Sequence, residues 1–86
     1  MYKILYKNTV EIELRKLPQS QRKIIVKKIQ ALAEQPHPSG VVKLRGSTNL
    51  FRIRHADYRL IYQVNDEQLV ILVVKIGHRR EVYRDF

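Results

Sequence analysis

The alternation running through residues 50–64 constrains the fold more than any other feature. Phe51 and Ile53 are interleaved with Arg52 and Arg54, and then Tyr58, Leu60, Tyr62 and Val64 fall in step with Arg59 between the first two. Period two is the signature of a half-buried strand. Two such runs around a short polar break predict a hairpin, in which a one-residue slip would carry every side chain to the other face. An even-numbered turn, either Ala56-Asp57 or the stretch from His55 to Tyr58, sets Arg54 opposite Arg59 and Ile53 opposite Leu60. Phe51, Ile53, Leu60 and Tyr62 then face a core, while Arg52, Arg54 and Arg59 share the other side. Tyr58 and Tyr62 fall on the core face and read as packing residues. Like charges placed directly opposite each other destabilise a sheet. A bound polyanion is the simplest reason to keep them there.

The charge balance points the same way. Seventeen Lys and Arg against eight Asp and Glu give a formal charge of +9, the electrostatic footprint of a protein that meets nucleic acid, an anionic surface or an acidic protein. Residues 1–42 hold six Lys and two Arg, whereas residues 43–86 hold seven Arg and two Lys. Lysine is a hydrated point charge, and arginine a planar fork suited to phosphate. The strand-borne arginines are therefore the candidates for specific contacts. Eighty-six residues suit one domain, 1–86, with a modest core. The absence of Cys removes disulfides and thiolate metal sites. His37, His55 and His78 are scattered without metal-ligand spacing, so no metal and no cofactor are expected. No stretch approaches the ~18–20 apolar residues of a membrane span. The chain reads as a cytoplasmic protein with no membrane partner.

Along the chain, residues 1–7 alternate as a short strand. Asn8 or Thr9 can cap a helix whose first turns carry Glu11 and Glu13, where the dipole favours negative charge. Val10, Leu14 and Leu17 form its apolar face. Pro18 ends that helix or starts the next. A second helix is expected from 19 to about 35, with Ile25, Ile29 and Leu32 inward and Lys23, Lys27 and Lys28 outward. The tight link predicts an antiparallel helical hairpin. Pro36-His37-Pro38-Ser39-Gly40 makes a loop, with His37 as its decoration. After the Asn65-Asp66-Glu67-Gln68 turn, the apolar run 69–74 suggests a central strand covered on both faces. Gly77 at its end would deliver His78, Arg79, Arg80 and Tyr83 to the sheet's edge. The expected order is β-α-α-β-β-β, an α+β domain with a helical hairpin on a mostly antiparallel four-stranded sheet.

The segments Lys43-Leu44-Arg45-Gly46, Leu50-Phe51-Arg52-Ile53-Arg54, Asp57-Tyr58-Arg59-Leu60-Ile61-Tyr62, Gly77-His78-Arg79 and Val82-Tyr83 together resemble the RelE branch of the RelE/ParE toxin superfamily. The resemblance spans essentially the whole chain in the right order. It implies a RelE-like fold and the toxin of a type II toxin–antitoxin pair, which inhibits translation by cutting mRNA in the ribosomal decoding site without a metal. In that chemistry the nucleotide's 2′-hydroxyl attacks the adjacent phosphate and the 5′-oxygen leaves. The implied partners are the ribosome, mRNA and a cognate acidic antitoxin. Arg52 and Arg54 occupy places where the best-known members hold lysines. Arg59 and Arg79 match arginines that would clamp the scissile phosphate, and Tyr83 matches a tyrosine that would stack on a base or orient the attacking group. Arginine stays protonated, so neither Arg52 nor Arg54 can serve as general base. His78 is the candidate to replace them, with His55 a weaker one. Two alternatives remain: a ParE-like poison of DNA gyrase that cuts nothing, or a catalytically idle relative that only binds nucleic acid or a partner.

Overall fold

A computed structural model of the protein describes residues 1–82. The chain runs β1 (Lys3–Tyr6), α1 (Asn8–Arg15), α2 (Gln19–Ala31), β2 (Val42–Lys43), β3 (Leu50–His55), β4 (Tyr58–Asn65) and β5 (Val70–His78). The strands form one sheet in the order β1-β5-β4-β3-β2. β1 runs parallel to β5 and every other pair is antiparallel. The α+β class and the mostly antiparallel sheet are as expected, but the sheet has five strands rather than four. The added strand, β2, is only two residues long and is held by pairing Val42 with Arg52 and Lys43 with Phe51.

The hairpin register is the expected one. A two-residue turn, Ala56-Asp57, sets His55 opposite Tyr58, Arg54 opposite Arg59 and Ile53 opposite Leu60. Both helices cover the apolar side of the sheet. Val10 and Leu17 pack with Ile25, Ile29 and Leu32 from the helical half. They meet Leu60, Tyr62, Val64, Ile71, Val73 and Ile76 from β4 and β5, with Phe51, Ile53 and Tyr58 at the margin. Each fully buried aliphatic side chain contributes roughly 1.5–3 kcal/mol. Tyr62 sits at the centre with no exposed surface. Its hydroxyl donates to the Pro36 carbonyl at 2.7 Å, which fastens the loop after α2 to the core. Burial pushes its phenol up to about 12.

Three local expectations need correction. The N-cap of α1 is Lys7, without a side-chain cap, so neither Asn8 nor Thr9 plays that part. The second helix stops at Ala31 rather than near 35. Tighter i→i+3 bonds close it, from Leu32, Ala33 and Glu34 N–H to the carbonyls of Ile29, Gln30 and Ala31. Pro36 explains the early stop, because it disfavours helical geometry at Gln35, and the Ala33 carbonyl is used instead by the Tyr2 N–H at 2.8 Å. Finally, β5 lies inside the sheet but is covered on one side only: Ile71, Val73 and Ile76 are buried, while Val70, Leu72 and Val74 are half-buried. The strand closed on both sides is β4, where Leu60, Ile61 and Tyr62 are consecutively buried.

Candidate functional site

The sheet side away from the helices can be read row by row from the register. Arg54, Arg59 and Gly77 form one row across β3, β4 and β5. Val42, Arg52, Ile61 and Lys75 form the next. Paired residues project to the same side, so Arg52, Arg54 and Arg59 share one face, as the alternation required. Arg54 is exposed, and Arg52 and Arg59 are half-buried. The Arg59 guanidinium leans over the hairpin turn, where its Nη1 donates to the Tyr58 carbonyl at 3.1 Å and to the Ala56 carbonyl at 3.4 Å. A guanidinium carries five N–H donors, and both of these bonds use one nitrogen, so the fork can also address an anion. The turn itself is strained, with Ala56 at φ 52°, a left-handed conformation costly for any residue with a Cβ.

Gly77 is not at the end of β5 but one residue inside it. His78 is the last strand residue, and the chain then turns back, with the N–H groups of Glu81 and Val82 both donating to the His78 carbonyl. The turn returns over the arginine face, because a Cβ on Gly77 would lie 3.8 Å from that of Val82. Ile61 and Val82 are both fully buried yet stand outside the main core. Arg79, which is exposed, is brought to the same end of the sheet by its N–H, donated to the Asp57 carbonyl of the hairpin turn at 2.7 Å. Arg54, Arg59 and Arg79 thus converge around one turn.

His78 is placed differently. It is the register partner of Tyr58, a residue at the margin of the helix-packed core, and the two rings meet edge to face with centroids 6.2 Å apart. Its Nδ1 accepts the Arg80 N–H at 3.3 Å. The imidazole therefore lies on the side opposite Arg59 and caps the turn that carries Arg79. His55 is also on the helix side, with Nε2 2.7 Å from Gln21 Oε1. His37 packs edgewise on Phe51 at 4.7 Å. Tyr83 lies outside the described residues. Among the described residues no group of three or more His, Cys, Asp or Glu could hold a metal ion, and no helix is long and apolar enough to cross a membrane.

Sequence reasoning missed one carboxylate. Glu13 reaches from α1 to the end of β5, accepting the Ile76 N–H on Oε1 at 3.0 Å and pairing with Lys75 through Oε2 at 3.1 Å. Its place on the helix suggested only a favourable position in the dipole. The tertiary partner could not be read from spacing.

Residues 3–83 match the family described as the ParE toxin of the type II toxin–antitoxin system parDE. The chain is 39% identical over 77 residues to the mRNA interferase toxin RelE of Escherichia coli, covering 85% of this chain and 80% of that protein. The crystal structure of the intact E. coli RelBE toxin–antitoxin complex contains a chain that superposes with a TM-score of 0.80 at 32% identity, over 91% of this chain and 96% of that one. An archaeal RelE–RelB complex from Pyrococcus horikoshii gives 0.82 at 30% identity, over 94% and 98%.

Proposed function

The chain belongs to the RelE branch of the ParE toxin family of type II toxin–antitoxin systems, and from that premise we propose that it is an endoribonuclease that cuts mRNA on the translating ribosome. The observation that carries the reading is that three arginine positions meet at one hairpin turn. Arg54 opposes Arg59 across the ladder, and Arg79 is tied to the same turn through Asp57. Such a cluster costs the fold stability and is repaid only by an anion. The mRNA interferase name of the E. coli relative supplies the substrate class.

In the proposed reaction the RNA brings its own nucleophile. The 2′-oxygen forms a bond to the adjacent phosphorus as its proton leaves, the bond to the 5′-oxygen breaks, and that oxygen takes up a proton. The products are a 2′,3′-cyclic phosphate and a 5′-hydroxyl. Arg59 and Arg79 clamp the scissile phosphate and hold charge as the phosphorane forms, while Arg52 and Arg54 bind the neighbouring backbone. Preorganised donors of this kind are commonly the largest catalytic contribution. The guanidiniums supply the positive charge that a metal would otherwise bring, so cleavage is metal-independent. Tyr83 stacks on a base, a contact worth roughly 1–3 kcal/mol. His78 holds the Arg79 turn rather than taking the 2′-proton, since its Nδ1 already accepts an amide and its ring lies across the sheet from Arg59.

The partner is a cognate antitoxin, as in the RelE–RelB complexes the fold resembles, and it acts with the toxin in the cytoplasm. A +9 chain fits an acidic antitoxin whose segments cover both the lysine-rich helices and the arginine face, because complementary charge speeds encounter and masks the site. The family description names parDE, which favours one second reading, a gyrase poison that cuts nothing. Expression of the chain followed by primer extension on cellular mRNA separates the two. New 5′ ends within translated codons are expected. Gyrase-linked DNA breaks without mRNA ends would overturn the proposal.

A further inference from the structure

We infer that Glu13 is a positioning residue for Arg79, locking from α1 the strand end that carries that guanidinium to the phosphate. The inference rests on the reading that the chain cuts RNA with Arg79 at the scissile phosphate.

The need for such a lock follows from the sheet. β1 accompanies β5 only from Val70 to Val73, and the last bond between the two edges is the Lys7 N–H to the Val73 carbonyl at 2.9 Å. Beyond that point, among the described residues, the outer edge of β5 has no strand beside it. At the same place the pairing with β4 shifts, with Ile61 opposite Lys75 but Tyr62 opposite Val73, so Val74 is an extra residue. Bulges bend a strand and interrupt its ladder. A bulged strand losing its neighbour is the least constrained part of a sheet, and here it leads directly to Gly77, His78 and Arg79.

Glu13 acts at that point. Its two oxygens grip consecutive residues, the Lys75 ammonium at 3.1 Å and the Ile76 N–H at 3.0 Å. Both side chains of the ion pair are largely sheltered, at 21% exposure for Lys75 and 16% for Glu13, and a hydrogen bond to an ionised acceptor is roughly twice as strong as a neutral one. The helix carrying Glu13 is itself anchored, with Val10 fully buried and the following Leu17 nearly so. On the far side Arg79 is held by Asp57 at 2.7 Å. The segment from Ile76 to Arg79 is thus held at both ends, by α1 and by the hairpin turn that Arg59 also touches. Removing the α1 anchor leaves the segment held from one side only, by its pairing with β4 and by the Asp57 bond.

The test is single-turnover cleavage of ribosome-bound mRNA by the full chain, well below its thermal midpoint. Glu13→Ala is expected to lower the maximal rate by roughly ten- to a hundredfold, the scale of an ångström-level misplacement, while the protein concentration giving half-maximal rate stays unchanged. Glu13→Gln keeps an acceptor for the Ile76 N–H and is expected to retain most of the rate, so a fold too weak to study in Glu13→Ala does not block the test. In an Arg79→Ala background, Glu13→Ala is expected to cost nothing further. Full activity of Glu13→Ala, or an equal loss in the Arg79→Ala background, would overturn the inference and leave the nuclease reading intact. A wild-type chain that cuts no mRNA would overturn both, and that result is visible before any variant is made.

Discussion

If Arg54 and Arg59 are kept opposite each other for an anion and not for the fold, removing one charge must make the free protein more stable. Arg54 is the cleaner site. It is exposed, whereas Arg59 also donates to the turn carbonyls of Tyr58 and Ala56. Glutamine at position 54 keeps an unbranched polar side chain, though a shorter one, and loses the charge. Directly opposed cross-strand pairs contribute roughly 0.2–1 kcal/mol, and solvent screening at an exposed site places the gain near the middle of that range, about 0.5 kcal/mol. For a domain of this size that corresponds to a rise in Tm of about 2–4 °C. The assay is urea denaturation at low salt and at about 1 M salt, where the screening length falls to ~3 Å and the repulsion is nearly abolished. Arg54→Gln is expected to be the more stable protein at low salt and equal to the wild type at high salt, while cutting RNA more slowly. Arg54→Lys, which keeps the charge, is expected to show no gain. An Arg54→Gln protein no more stable than wild type at low salt, or a gain undiminished by salt, would refute the reasoning.

Other consequences follow from particular contacts. Tyr62 has a phenol raised from 10 to about 12 by burial, so the unfolded chain releases its proton first as pH climbs. Its contribution is fully present below pH ~10 and is lost between ~10 and ~12, up to about 2–3 kcal/mol; Tyr62→Phe is expected to flatten the alkaline limb of the stability curve, and an unchanged limb would contradict the burial. Ala56→Gly relieves the left-handed strain at φ 52° and is expected to stabilise the hairpin by up to about 1 kcal/mol, read as a shift of the urea midpoint; a loss of stability would show the strain is not there. His78→Gln is expected to leave the pH dependence of cleavage unchanged, and loss in that variant of the limb in which the rate rises with pH would restore His78 as the base.

The parts of this fold legible from sequence are those where periodicity is tied to burial. Phe51, Ile53, Leu60 and Tyr62 had to face one way, and that alone put Arg52, Arg54 and Arg59 on the other side and made the turn even-numbered. The inward stripe of Ile25, Ile29 and Leu32 was equally plain. What escaped the sequence depends on partners distant along the chain. β2 is two residues long, too short for any alternation, and exists only through its pairing with Arg52 and Phe51. The run 69–74 reads the same whether one face or both is covered, and only the helices packed against Ile71, Val73 and Ile76 on one side decide between them. Counting Gly77 as the strand's end moved His78 toward the arginines. The strand in fact continues one residue further, and parity returns the imidazole to Tyr58's side. Glu13 carried no pattern that could announce Ile76 as its partner.

The central claim is that Arg59 and Arg79 stabilise the phosphate as it is cut. The most direct measurement is the single-turnover rate of mRNA cleavage on programmed ribosomes by the wild type, Arg59→Ala and Arg79→Ala, each shown by its denaturation curve to be folded. The account predicts that each variant still binds the ribosome but cleaves on the order of 10²–10³ more slowly, and that each relieves the growth arrest caused by expression. Folded variants that cleave at the wild-type rate would contradict it.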